Sequence, residues 1–225
     1  MPEHYLSIGD LPTTVKLFPL RGVILLPRST LPLNVFEPRY LPLTNAVLAG
    51  DRLIGVVQTD AGAGEVESPD GKDVTLRRIG GAGRLTAFQE TDDGRYLITL
   101  SGVARFAIRQ EIETDDPYRR CEVDWKPFTG DLEHGRGEKD VDRERLLAVL
   151  KKYLKVNKML GDGDAINNSS NELRVNTLSM TSPYGPEEKQ ALLEAGDLKE
   201  RAEVLMALAE MELAGNEGGA GSTIQ

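Results

Sequence analysis

Apolar and polar positions repeat with two different periods along this chain, and the change falls near residue 137. Before it, apolar residues come in the short runs that strands require. Thr14-Val15-Lys16-Leu17-Phe18 alternates and then meets Pro19, and residues 52–58 form an apolar run between polar ends. Residues 73–91 carry Val74, Leu76, Ile79, Leu85, Ala87 and Phe88, interrupted at Gly80-Gly81-Ala82-Gly83, where the pattern predicts a bulge or sharp bend. Asp92-Asp93-Gly94 is a hairpin signal that leads into a strand over 96–100, followed by further strands over 104–108 and 120–125. One helix is expected among them, over 38–48, with Pro38 suited to its first turn and Gly50 to its end.

Residues 129–137 hold three glycines among polar residues and read as a linker. Beyond them the period is helical. Residues 138–160 place Leu146, Leu147, Leu150, Tyr153 and Leu154 on one stripe, with an acidic start and a lysine-rich end that both suit the helix dipole. Gly161-Asp162-Gly163-Asp164 stops that helix, and a short one follows over 171–180. Gly185-Pro186-Glu187-Glu188 starts another, and Asp197 caps the last, whose core stripe is Leu198, Ala202, Leu205 and Ala209. Residues 215–225 are glycine-rich without core-forming side chains and read as a disordered tail. The expected organisation is a β-rich domain over 1–128, a linker over 129–137, a helical bundle over 138–214 and a tail. The class is α+β.

Composition narrows the chemistry. The 225 residues hold one cysteine and two histidines, so an internal disulfide and a cysteine-rich zinc site are excluded. We expect no metal and no cofactor. The net charge of −9 opposes nucleic-acid binding, which rests on neutralising phosphates. No apolar run approaches the ~20 residues that span a bilayer, and Met1-Pro2-Glu3-His4-Tyr5 does not open an export signal. A cytoplasmic protein with no membrane partner is expected.

Catalytic signatures fail one by one. Gly71-Lys72 is followed by Asp73 and lacks the preceding glycine of a phosphate-binding loop. Gly81-Ala82-Gly83 lacks the third glycine of a dinucleotide fingerprint, and no Gly-x-Ser-x-Gly elbow occurs. Cys121 stands in an alternating run and reads as a strand residue rather than a nucleophile. His134 reads as a solvated loop residue, and Glu37 with Arg39 as a structural salt bridge at a helix start. No catalytic residue is assigned.

One long pattern is more telling. Phe18-Pro19-Leu20-Arg21-Gly22-Val23-Ile24-Leu25-Leu26-Pro27 continues through Thr30-Leu31-Pro32-Leu33-Asn34-Val35-Phe36-Glu37-Pro38-Arg39-Tyr40. Ile79-Gly80, Gly83-Arg84, Asp93-Gly94-Arg95-Tyr96, residues 100–106 and Pro117-Tyr118 extend it, and residues 188–194 with Arg201-Ala202 close it. The chain resembles the N-terminal, substrate-binding domain of the Lon ATP-dependent proteases. That resemblance implies a PUA-like pseudo-barrel followed by a helical bundle. No ATPase module and no Ser-Lys protease module accompany it within the 225 residues, so the likeness is to the stand-alone Lon-domain proteins of bacteria. The family's binding role carries over; its proteolysis and ATP hydrolysis do not.

The resemblance therefore implies a non-enzymatic module that recognises exposed hydrophobic segments of unfolded or extended proteins, with a protease or another protein as partner. RNA binding, by analogy with other PUA-like folds, is the alternative. Phe36, Arg39, Tyr40 and Tyr184 are the candidate peptide-binding residues, expected near the junction of barrel and bundle. The same residues also read as scaffold, since proline-fixed turns and aromatic bulk identify a fold better than a site.

Overall fold

A computed structural model describes residues 5–60, 74–157 and 169–219. Six strands form one mixed sheet among them: β1 (Thr14–Pro19), β2 (Thr30–Val35), β3 (Leu53–Thr59), β4 (Leu76–Glu90), β5 (Tyr96–Ile112) and β6 (Arg120–Asp124). The order is β2-β5-β4-β3-β1-β6, with β1 and β3 parallel and the other pairs antiparallel. An added β5–β6 pairing closes β1, β3, β4, β5 and β6 into a ring. The fold is α+β, as the two periods in the sequence require. β5 is 17 residues long, and only its second half is needed for closure. Its first half pairs with β2 and with the end of β4, making a three-stranded antiparallel wing that continues past the ring.

Leu11, Val15, Leu17, Leu53, Val57, Phe106, Cys121 and Trp125 fill the barrel. Phe106 and Trp125 meet edge to face at 5.7 Å, and the Trp125 indole N–H donates to the Pro12 carbonyl at 2.8 Å. Each aromatic thus buries a large apolar area, and the one polar atom is satisfied.

β4 and β5 are longer than their sequence pattern suggests. The glycine run does not end a strand: β4 passes through it with a register shift between Ala82 and Gly83. The apolar stretch around Leu25 explains the glycines. A Cβ on Gly81 would stand 1.8 Å from the Leu25 carbonyl oxygen, and one on Gly102 would stand 2.0 Å from that of Leu26. The backbone of this buried loop lies directly on the sheet, and only glycine leaves room for it. β2 has no counterpart in the expected strand set, because Pro32 interrupts its pattern. Proline is compatible with an edge strand, and β2 is one.

Two compact units make up the chain. One contains the residues up to His134 together with Tyr184–Leu193; the other contains Gly135–Pro183 and Glu194–Gln225. In the first unit, α1 (Tyr40–Leu48) starts two residues later than expected, with the Tyr40 N–H donating to the Glu37 carbonyl at 2.9 Å. Residues 126–132, which overlap the first four residues of the expected linker, form 3-10 turns in which Phe128 and Asp131 are buried. Asp131 carries the reason. Its carboxylate accepts from Arg105 Nε and Nη2 at 2.8 Å each and from the Arg105 backbone N–H at 2.9 Å.

The helix over Pro186–Glu194, here α4, also departs from the expected organisation. Its residues as far as Leu193 group with the strands rather than with the other helices. Gln58 Nε2 donates to the Pro186 carbonyl at 2.9 Å and to Gln190 Oε1 at 3.0 Å. Gln190 Nε2 reaches the Ile79 carbonyl, and Arg105 Nη1 the Leu193 carbonyl. A helical period shows that one face must be covered, not which element covers it.

The second unit holds α2 (Arg143–Val156), α3 (Asn171–Thr181) and α5 (Leu198–Gly219). Asp142, Ser170 and Asp197 cap them by accepting from the N–H groups of Arg145, Leu173 and Glu200. Each such cap is worth about 1 kcal/mol. Leu146, Leu150, Tyr153, Val175, Leu205 and Ala209 are buried there. α2 begins five residues after the expected start, and α5 runs to Gly219, into the stretch read as a tail. The expected glycine stop at 161–164 and residues 220–225 lie outside the described residues.

Candidate functional site

Three of the large apolar side chains exposed on the first unit, Phe36, Phe88 and Leu97, lie on the wing or at its tip end; Leu6 is exposed near the N-terminus. Ladder geometry fixes what the wing presents. The Gly102 N–H donates to the Ser29 carbonyl at 2.8 Å, and β2 then pairs with β5 without slip from Thr30–Ser101 to Val35–Tyr96. Hydrogen-bonded and non-bonded pairs alternate in an antiparallel ladder. Leu31, Leu33 and Val35 therefore bond to β5, and the backbone groups of Thr30, Pro32 and Asn34 face the open side. Pro32 has no N–H to offer, so the outer edge of β2 is blunted at its middle.

The other side of the wing follows the same alternation. The Thr91 N–H donates to the Arg95 carbonyl at 2.9 Å, and the pairs run unbroken from Glu90–Tyr96 to Ala87–Thr99. Gln89 and Ala87 bond inward, leaving the N–H and C=O groups of Phe88 and Glu90 on the outer edge of β4. Among the described residues, no strand pairs with β4 beyond Arg84 on that side.

Side chains alternate across the two faces of the wing. Leu33, Ile98 and Phe88 share one face at successive strands, and Phe88 meets Tyr96 edge to face at 5.0 Å. Pro32, Thr99 and Ala87 share the other face, with Leu97 beside them. Phe88 is 40% exposed and Leu97 42%, although both are large and apolar. A shallow groove of about 510 Å³ is lined by residues of all three strands, Pro32, Leu33, Ala87, Phe88 and Leu97 among them. The tip is held by a compact turn in which Gly94 takes φ +79. There the Arg95 guanidinium, which donates to Asp93 at 2.8 Å, holds the Asp93 carboxyl well below the usual carboxylate range.

The candidate residues from the sequence occupy different settings. Phe36 lies one residue past the Val35–Tyr96 pair, at the tip end of the wing, and is 61% exposed. Arg39 Nε donates to Glu37 Oε2 at 2.9 Å, and its guanidinium lies 4.7 Å from the centre of the Tyr40 ring. Tyr40 is buried, its ring stacked on Phe18 at 4.0 Å. Tyr184 is half-buried on a separate element, ahead of α4. Phe36 alone among the four presents most of its side chain outward. Phe88, Leu97 and Leu33 were not singled out in the sequence, because alternation marks one strand face as apolar without saying whether anything covers it.

At the other end of the barrel a second hollow, of about 440 Å³, contains Val74, Glu111, Arg119 and Cys121. Arg119 Nε donates to Glu111 Oε1 at 2.6 Å and Nη1 to the Val74 carbonyl at 2.6 Å, which occupies the charged groups with each other. Burial pushes the Cys121 thiol up to about 12, so it stays protonated and is no nucleophile at neutral pH. Among the described residues no group of His, Cys, Asp and Glu is arranged to hold a metal ion, and no helix is long and apolar enough to cross a membrane.

Comparison with known proteins gives one consistent result. The family model "ATP-dependent protease La (LON) substrate-binding domain" matches residues 14–210. The Lon protease of Parabacteroides distasonis is 32% identical over 220 residues, covering 92% of this chain and 24% of that protein. The Lon protease of Flavobacterium johnsoniae is 26% identical over 216 residues, covering 94% and 26%. This chain thus spans about a quarter of the length of these relatives. Among solved structures, the N-terminal domain of a Mycobacterium avium complex Lon protease superposes with a TM-score of 0.64 at 16% identity, covering 88% of this chain and 98% of that one. A Lon N-terminal domain protein from Xanthomonas campestris gives 0.60 at 24% identity, covering 87% and 98%. At those identities the two structures establish the fold.

Proposed function

The chain belongs to the Lon substrate-binding domain family, and on that premise we propose that it binds exposed hydrophobic segments of other proteins through the wing formed by β2, β4 and β5. The observation that supports this is the placement of Phe36, Phe88 and Leu97. Phe88 on one face of the wing, Leu97 on the other and Phe36 at its tip end are large apolar side chains left open beside a groove and an unblunted strand edge. Covering one such side chain contributes on the order of 1–2 kcal/mol, so a segment that covers one or two of them finds a weak site suited to transient capture. Phe36 is the member of the sequence-derived set that contributes surface; Arg39, Tyr40 and Tyr184 hold the corner and the neighbouring segment in place. In this reading the chain catalyses nothing itself, and a bound segment passes to a protease or another protein partner.

The test is fluorescence anisotropy with a permanently unfolded, carboxymethylated protein as ligand and RNA of similar length in parallel. We expect saturable binding of the unfolded protein, weakened about five- to tenfold by Phe88→Ser and by Leu97→Ser. Binding unaffected by either variant, or binding of RNA alone, would remove the wing from the function. Casein incubated with the chain and ATP should release no peptides.

A further inference from the structure

The charges around the wing are lopsided. β2 carries none, β5 carries none from Tyr96 to Ala104, and the part of β4 beyond Arg84 carries only Glu90. The turn between β4 and β5 adds Asp92, Asp93 and Arg95. Three carboxylates thus stand against one guanidinium. Arg95 is committed to Asp93, with its Nε 2.8 Å from Oδ2. At the neighbouring corner Arg39 and Glu37 are paired with each other. Glu90 and Asp92 are exposed, and neither has an ion pair among the described residues. Glu90 follows Phe88 by two positions, on the same strand face and about 7 Å along the strand, opposite Tyr96. An apolar segment lying over Phe88 and Tyr96 therefore passes beside two uncompensated negative charges at the rim.

We infer that the segments this surface selects are apolar stretches flanked by lysine or arginine, their positive charges meeting Glu90 and Asp92. This rests on the wing being the binding surface. It specifies what the wing discriminates: hydrophobic stretches bordered by acidic residues are disfavoured, because like charges would then face each other at the rim. Exposed pairs of this kind contribute modestly and are screened by salt, with a Debye length near 8 Å at physiological ionic strength. The discrimination is expected to be about three- to tenfold at low salt and to fade toward 0.5 M.

Three fluorescent peptides with the same apolar centre, flanked by two lysines, two glutamines or two glutamates on each side, test it by anisotropy with the full chain. The expected order of affinity is lysine, glutamine, glutamate. Glu90→Gln with Asp92→Asn should bring the three within about twofold of one another, while Glu113→Gln with Asp115→Asn, at the far end of β5, should leave the order as it was. The latter pair separates a local effect from the overall charge of −9. Equal affinity for the three peptides in the unmodified chain would overturn the selectivity, as would a lysine advantage that survives Glu90→Gln with Asp92→Asn. Both results would leave the wing intact as a binding surface if Phe88→Ser still weakens all three. Loss of the order in the Glu113 and Asp115 variant would also overturn it. Binding of none of the peptides would overturn the underlying reading together with this one.

Discussion

Asp131→Ala should be among the most destabilising single substitutions in the first unit, although the residue lies in a stretch whose glycines and polar residues resemble a linker. Arg105 is 2% exposed and Asp131 8%. The carboxylate accepts three N–H groups within 2.9 Å, two from the guanidinium and one from the Arg105 backbone. The guanidinium also donates to the Leu193 carbonyl at 3.0 Å and packs over the Phe128 ring at 4.4 Å. Removing the carboxylate leaves a buried positive charge without its counter-ion, which costs about 3–5 kcal/mol. For a chain of this size each kcal/mol lowers Tm by roughly 2–4 °C, so a loss of about 6–20 °C is expected. Urea denaturation followed by Trp125 fluorescence reads the free energy directly. A second variant isolates the cause. Arg105→Met with Asp131→Leu removes both charges, and such replacements are often neutral or stabilising, so it should recover most of the loss. A fall of less than about 1 kcal/mol for Asp131→Ala, or a double variant as unstable as the single one, would refute the assignment of this pair to the structural core.

Gly81→Ala should abolish soluble expression or lower stability by more than about 3 kcal/mol, because its Cβ would meet the Leu25 carbonyl oxygen at 1.8 Å and neither backbone can move aside; an unchanged urea midpoint would show that the loop does not lie there. Cys121 is fully buried with its thiol pushed up to about 12, so a disulfide-exchange reagent at pH 8 should leave it unmodified until guanidinium unfolds the chain, and rapid labelling of the native protein would contradict that burial. Lys189 is buried, and burial lowers the pKa of its ammonium below the ordinary lysine range. The unfolded chain then binds its proton more tightly than the folded one, so this residue destabilises the fold at neutral pH and stability rises as pH climbs from the lowered value into the ordinary lysine range. The stability difference between Lys189→Met and the unmodified chain should shrink over that window; a difference independent of pH between 7 and 10.5 would refute it.

The strands of the barrel were legible in the sequence wherever apolar residues alternate, as at 14–18 and 120–124, or run together between polar ends, as at 52–58. The places where sequence reading fell short have a common physical origin. Gly80-Gly81-Ala82-Gly83 carries the signature of a bend, yet Gly81 and Gly83 answer to a loop about 56 residues earlier in the chain, around Leu25. Asp131 looks like a linker acid until Arg105, 26 residues before it, is placed against it. α4 has an amphipathic face that any apolar neighbour would satisfy, and Gln58 and Arg105 supply the polar contacts that fix which one does. In each case the decisive partner is remote in sequence, and periodicity records only local requirements.

The same limit separates the two kinds of residue in the long family pattern. Phe18, Tyr40 and Phe106 are part of it and are buried, as scaffold positions must be. Phe36 is part of it and is exposed; nothing in its sequence surroundings distinguishes it from Tyr40, four residues on. Exposure depends on where β2 ends relative to β5, and that register is set by pairing across more than 60 residues. A segment-binding surface built on a wing therefore leaves its clearest sequence trace in what is missing. β4 and β5 extend beyond the length a closed ring requires, and over that surplus Leu33, Ile98 and Phe88 keep one strand face apolar while the only charges gather at the turn. Apolar side chains without a covering element are disfavoured in a folded chain unless something else covers them part of the time. If the wing were an ornament of the barrel, shortening the hairpin by removing residues 89–97 and joining the strands with Asn-Gly would leave both stability and segment binding unchanged. If it is the binding surface, the shortened chain, which loses Leu97 and puts Phe88 at the new turn, should keep its unfolding free energy within about 1 kcal/mol and bind the unfolded protein at least about tenfold more weakly.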